Sequence, residues 1–138
     1  MKKEKIKIIN HTADIGIEVF GDTIEELFLN SVKGLYLVSG VKYNGEKGFL
    51  EIEIKESVLE DLLVKFLNEL IYIMETKKLG GEIEKIHLEK KEDLYILKTK
   101  LKVKSIEKID KEVKAATYHK LKIEKKEDGF LTTIIFDL

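Results

Sequence analysis

No cysteine occurs in this chain, so it has no disulfide, no thiolate nucleophile and no cysteine-ligated zinc site. Arginine is absent as well, and apart from the histidines every basic residue is lysine. Bidentate guanidinium clamps on phosphate or carboxylate are therefore unavailable. No run approaches the roughly 20 apolar residues that a membrane-spanning helix needs, and no apolar signal core follows Met1-Lys2-Lys3-Glu4-Lys5. A soluble, cytoplasmic protein with no membrane contact is expected. Neither charge dominates: 37% of residues are charged, yet the formal net charge is -1, which speaks against a dedicated nucleic-acid binder with a basic stripe. Catalytic signatures are also missing. There is no Ser-His-Asp order, no glycine-rich phosphate loop and no HExxH helix, and Gly80-Gly81 lacks the spacing of a nucleotide loop.

What is present reads as one domain over residues 1–138, with an ordinary apolar share of 43%. The Lys/Glu enrichment suits either a thermophile or a low-GC genome. Ile6 and Ile8, then Ile15, Ile17 and Val19, alternate with polar residues as half-buried strands do. Thr23-Ile24-Glu25-Glu26 is a capping-box signature that opens a helix carrying Ile24, Leu27, Phe28, Val32 and Leu35, which Gly40 should close. Phe49, Ile52 and Ile54 predict a strand. Ser57-Val58-Leu59-Glu60 reads as a second capping box, ahead of an apolar stripe of Leu59, Leu62, Leu63, Phe66, Leu67, Leu70 and Met74 that Gly80-Gly81 should stop. Strands follow around Ile83–Leu88, Leu94–Val103, Val113–Ile123 and Leu131–Phe136, with Asp128-Gly129 as a hairpin signal. The order predicts an α+β fold, β-α-β-α and then four strands, with two helices packed on a mostly antiparallel β-sheet.

Three places carry chemistry-bearing residues where strand is expected. Asp14, two residues after Thr12 and three after His11, could ligate a hard cation or simply bond local backbone at a turn. Asp137 lies beside the α-carboxylate of Leu138; such close carboxylates repel unless a cation or several donors compensate, which is the logic of a Mg²⁺ or Ca²⁺ site. An ordinary solvated terminus is the alternative. In the third, Lys114, Thr117, Tyr118 and His119 are partner or functional candidates, with His119 a general base or ligand or else an ordinary surface or hydrogen-bonded histidine, and Ala115-Ala116 leaves room for close approach. A strand would set Lys114, Ala116, Tyr118 and Lys120 on one face and Val113, Ala115, Thr117, His119 and Leu121 on the other. His87 reads as structural. Lys98, Lys100, Lys102 and Lys104 form one strand face, better explained by protection of a sheet edge than by RNA phosphate.

Taken together, His11-Thr12-Ala13-Asp14-Ile15-Gly16, Asp22-Thr23, Leu62-Leu63-Val64 with Phe66-Leu67-Asn68-Glu69-Leu70, Glu112–His119 and the closing Asp137-Leu138 resemble the archease family along essentially the whole chain. The resemblance implies a non-enzymatic accessory protein. It would assist an RtcB-type tRNA-splicing RNA ligase, promoting guanylylation of the ligase's histidine and multiple turnover. A tRNA cytosine methyltransferase, served in a chaperone-like way, is the second implied partner, and direct RNA contact is left open. The family's metal site falls on Asp14 and Asp137, with the Leu138 carboxylate nearby. These hard oxygen donors favour Ca²⁺ or Mg²⁺, with Mn²⁺ or Zn²⁺ behind them should His11 join; His11 is read as a capping or supporting residue. Two departures stand out. Asn10 occupies a position that is often acidic, and Ser105–Lys111 is short for the expected loop, with Glu107 as the stand-in for its glutamate.

Overall fold

The computed structural model describes residues 5–10, 14–117 and 121–138. The elements run β1 (Ile6–Asn10), β2 (Asp14–Gly21), α1 (Ile24–Ser39), β3 (Lys42–Glu56), α2 (Leu59–Lys77), β4 (Leu79–Lys91), β5 (Leu94–Lys108), β6 (Ala115–Ala116), β7 (Glu124–Lys126) and β8 (Gly129–Asp137). The α+β architecture with two helices and antiparallel strands is as expected. The strands divide between two sheets rather than forming one: β1-β2-β8-β6, with β7 also on β8, and β3-β5-β4.

Helix α1 begins as its sequence requires. Thr23 Oγ1 accepts the Glu26 N–H at 3.0 Å, and Glu26 Oε1 accepts the Asp22 N–H at 3.1 Å, which satisfies donors that the first turn leaves free. It ends at Gly40, whose φ of 62° is left-handed and whose N–H bonds back to Tyr36 and Leu37 carbonyls. Gly34 has a different cause. A Cβ there would come within 2.4 Å of Ile17 Cδ1, so a larger residue at this contact with β2 would require the tip of Ile17 to move.

Helix α2 departs from the reading at both ends. Its N-cap is Val58, with no side-chain cap bond, so Ser57 does not form the second capping box. Its stop is Lys78, left-handed at φ 55°, and Gly80-Gly81 already belong to β4. The buried face is also wider than the predicted stripe, adding Val64, Ile71 and Ile73. The helices touch both sheets: α1 packs on β2, β8 and β4, and α2 on β3, β4, β5 and β6. A helix covered on two sides needs more than one apolar stripe. Ile15, Ile17, Val19, Ile134 and Phe136 from the first sheet and Ile52, Ile54, Leu97, Leu101 and Val103 from the second complete one core with them. Its buried polar groups bond locally: Ser31 to the Leu27 carbonyl, Ser39 to the Leu35 carbonyl and the Asn30 amide to the Phe20 carbonyl.

Further corrections concern the strands. Val113–Ile123 is not one strand: among its described residues only Ala115–Ala116 pair with β8, and both Val113 and Ala116 are buried, which strict alternation forbids. Ser105–Lys108 is the end of β5, not a loop, so Glu107 sits on a strand. The β7–β8 turn is Glu127-Asp128, with Lys126 opposite Gly129. The lysines at 98, 100, 102 and 104 lie on β5, the middle strand of its sheet, so edge protection does not explain them. His87, read as structural, is exposed on β4 with Nε2 3.6 Å from Glu89 Oε2.

Leu63 is fully buried. Leu63→Ala should therefore cost about 2–5 kcal/mol in denaturant melts; a loss within about 0.5 kcal/mol would place it outside the core. Burial, reinforced by Tyr43, pushes the Tyr36 hydroxyl above the ordinary value near 10, and burial pushes Tyr43 up to about 12. Above pH 10 the unfolded chain gives up these protons before the folded one. Their contribution to stability is thus complete below pH 10 and declines as pH rises from there towards the folded values. Among the described residues the buried Tyr36 hydroxyl has no hydrogen-bond partner. Tyr36→Phe should then leave the melting temperature at pH 7 equal or higher, and should flatten its fall at alkaline pH.

Candidate functional site

The site is built at the end of the β2–β8 ladder. Pairing runs without interruption from Gly21 opposite Phe130 to Asp14 opposite Asp137. Its parity is set by the core: Ile15, Ile17 and Val19 of β2, with Ile134 and Phe136 of β8, face the helices. Asp14 and Asp137 must therefore share the other face. Directly opposed residues in an antiparallel pair hold their Cβ atoms about 4.5–5.5 Å apart. Two carboxylates that the chain separates by most of its length are thereby made neighbours.

The far side of Asp137 is also specified. Ala115 lies opposite it, the Lys114 N–H donates to the Asp137 carbonyl at 2.8 Å, and the Thr117 N–H donates to the Ile135 carbonyl at 2.9 Å. Thr117, two residues beyond Ala115, returns to the face that carries Asp14 and Asp137. Leu138, which follows Asp137, is 36% exposed, and Lys114 is exposed as well. His11, Thr12, Tyr118 and His119 lie outside the described residues. The structure thus sets Asp14 beside Asp137, with Thr117 on the same face; of Lys114 only the backbone N–H reaches Asp137, and its side chain alternates to the other face. It does not bring Glu107 into this row: that residue is exposed near the C-terminal end of β5.

Two polar atoms on this face are orphans. Asp14 Oδ1 and Thr117 Oγ1 are both buried and, among the described residues, have no hydrogen-bond partner. A buried carboxylate oxygen calls for a donor or a cation, and like charges set directly opposite each other are destabilising. Both demands are met by a hard cation bound between the carboxylates, so the residues fit such a group. Among the described residues no cluster of three or more His, Cys, Asp or Glu forms.

One residue that fixes the site was not singled out by its chemistry. Asn68 of α2 accepts the Ala116 N–H on Oδ1 at 2.8 Å and donates Nδ2 to the Ala116 carbonyl at 3.1 Å. Its amide completes the backbone pairing of β6 on the side away from β8, so no further strand is needed there. A signal existed. Asn68 is four residues after Val64 and three before Ile71, on the flank of α2 that proves buried, but neither neighbour had been placed on the apolar face.

Residues 7–138 match the model of the "Archease protein family (MTH1598/TM1083)". The chain belongs to the archease family. It is 42% identical to the protein archease of Thermococcus kodakarensis over 124 residues, covering 86% of this chain and 87% of that protein. It is 30% identical to the protein archease of Archaeoglobus fulgidus over 139 residues, covering 97% and 99%. Among solved structures, the solution structure of Methanobacterium thermoautotrophicum Protein 1598 superposes with a TM-score of 0.75 at 25% identity, covering 97% of this chain and 99% of that one. The crystal structure of "an archease, possible chaperone" from Thermotoga maritima gives 0.66 at 28% identity, covering 100% and 98%.

Because both bonds from Asn68 end on the segment that flanks Asp137, Asn68→Ala should cost about 1–3 kcal/mol. It should also speed hydrogen exchange at the Ala116 amide more than at β2. Equal exchange at Ala116 in wild type and variant would show that the amide does not hold this segment.

Proposed function

We propose that this archease-family chain is an accessory activator of an RtcB-type tRNA-splicing RNA ligase, promoting guanylylation of the ligase and multiple turnover while making and breaking no bond itself. The observation that supports this most is the opposition of Asp14 and Asp137, with a buried Asp14 oxygen that has no partner among the described residues. We infer that Asp14, Asp137 and the Leu138 carboxylate hold a divalent cation. Three hard oxygen donors suit Ca²⁺ or Mg²⁺ better than Zn²⁺ or Mn²⁺. When bound, such an ion would neutralise the opposed carboxylates and leave positions open to phosphate oxygens. The chain's own residues do the positioning. The uninterrupted ladder holds the two aspartates opposite each other at the rim, and the Lys114 backbone N–H fixes the Asp137 carbonyl.

The second reading is a chaperone-like binding module for a tRNA cytosine methyltransferase. It draws on the words "possible chaperone" attached to the Thermotoga maritima structure.

Ligation by substoichiometric RtcB-type enzyme, with and without this protein, separates the two. Restored turnover supports activation; unchanged turnover with reduced aggregation of the methyltransferase supports the second reading. Asp14→Ala and Asp137→Ala should keep the wild-type circular dichroism and abolish activation, and extension past Leu138 should weaken it. Full activation by both folded variants would refute the role of the carboxylates. A separate readout tests the ion. In chelator, Asp14→Asn should melt at or above wild type, since it removes a like-charge opposition worth about 0.2–1 kcal/mol. Added Ca²⁺ should raise the melting temperature of wild type but not of the variant.

A further inference from the structure

The sheet β3-β5-β4 has two edges, and they are treated differently. The β4 edge is guarded. Helix α1 packs beside it, the Leu88 N–H donates to Glu25 Oε2 of that helix at 3.3 Å, and the register shifts between Ile83 and Lys85. The β3 edge has two halves. Up to Phe49 its register shifts repeatedly, which twists a strand away from further pairing. From Phe49 to Glu56 the register is continuous against β5.

The direction of the free backbone groups in that regular half can be worked out. The Ile52 carbonyl accepts a hydrogen bond from the Thr99 hydroxyl of β5 at 3.3 Å, so the polar groups of Ile52 face β5. By alternation, the N–H and C=O of Glu51 and Glu53 face outward. Among the described residues no strand, helix or side chain takes them. Beside them runs a groove of about 350 Å³ along Leu50–Ile54, closed from α2 by Glu69, Tyr72, Ile73 and Lys77, so that three carboxylates face one ammonium. Residues pointing to both faces of β3 line it together, which places it along the free edge of the strand. Tyr72 is 57% exposed there.

Charge selects the occupant. Glu51 and Glu53 are exposed on the outer face. Lys98 reaches Glu53 only at 3.9 Å, while Lys100, the register partner of Glu51, lies 4.5 Å over the Phe49 ring instead. Antiparallel pairing of this stretch with its own copy, centred on Glu51, Ile52 or Glu53, sets a glutamate directly opposite a glutamate. That is destabilising, whereas lysine or arginine in the same place is favourable. The edge is thus biased against a second copy and towards a basic strand.

We propose that the free edge of β3 between Phe49 and Glu56 docks an extended segment of a partner protein, added as one more strand, with basic and apolar side chains in alternation. Its backbone bonds the outward groups of Glu51 and Glu53. Its basic side chains meet those carboxylates, and its apolar side chains enter the groove against Leu50 and Tyr72.

The test uses the full chain and a synthetic peptide of alternating lysine and valine, long enough to span Phe49–Glu56, followed by fluorescence anisotropy and amide hydrogen exchange. The expected result is saturable binding that slows exchange at the Glu51 and Glu53 amides. N-methylating alternate amides of the peptide in the bonding register should weaken binding by roughly tenfold or more, without touching the protein. The doubly substituted protein Glu51→Lys, Glu53→Lys should lose the lysine–valine peptide by a similar factor and gain a glutamate–valine one. The proposal is overturned by absence of binding, by affinity insensitive to N-methylation or to the double substitution, or by protection on the Lys98–Lys104 face instead. Concentration-dependent self-association that protects Glu51 and Glu53 without peptide would overturn it in favour of a second copy.

Discussion

The ladder between β2 and β8 is the constraint on which the rest depends. It joins the early part of the chain to its last residues, with Asp14 opposite Asp137 at one end and Gly21 opposite Phe130 at the other. A slip of one residue would turn Ile134 and Phe136 out of the core and bring the residues between them in. Burial of those side chains therefore fixes the register, and the register fixes the carboxylates. The apparent tension at the rim, two like charges face to face, is sustained by apolar packing behind it. The outer side of β8 is held in turn by β6 near Asp137 and by β7 near Gly129, so the strand that carries Asp137 is supported on both sides.

Polar groups at the seams between layers are satisfied by side chains reaching across. Asn68 of α2 brackets the backbone of Ala116. Glu60, in the first turn of α2, accepts the Ile123 N–H at 3.0 Å, and Glu25, in the first turn of α1, accepts the Leu88 N–H. Acidic residues suit a helix N-terminus because of the positive end of its dipole. Here the same carboxylates also take strand N–H groups that lack a neighbouring strand. The helices thus close edges as well as fill the core, and the stretch of β3 beside α2 is conspicuous for receiving no such carboxylate.

The lysine row of β5 takes on a different sense once its strand is central. Its neighbours on β3 supply glutamates and aromatic rings: Glu46 lies 3.4 Å from Lys102, the Phe49 ring under Lys100 and the Tyr43 ring under Lys104. Exposed pairs of this kind add little stability each. They do break up what would otherwise be a basic stripe, in agreement with the near-neutral charge of the whole chain.

Local chemistry was legible in the chain itself. Thr23 and Glu26 announce the start of α1 and Gly40 its end, since capping depends on residues a few positions apart. Two-residue alternation marks β2, and the apolar spacing of Leu62 to Leu70 marks α2. The acidic residues of the candidate site could be named because Asp14 and Asp137 interrupt or end strand patterns. Tertiary structure decided the rest. It placed Asp14 against Asp137, made β5 central, gave Asn68 its role and reduced the segment after Val113 to a two-residue pairing. It also ended α2 at Lys78 before the glycines. Each of these depends on which backbone groups and faces find partners far away in sequence, a matter of register and burial that local propensity does not encode.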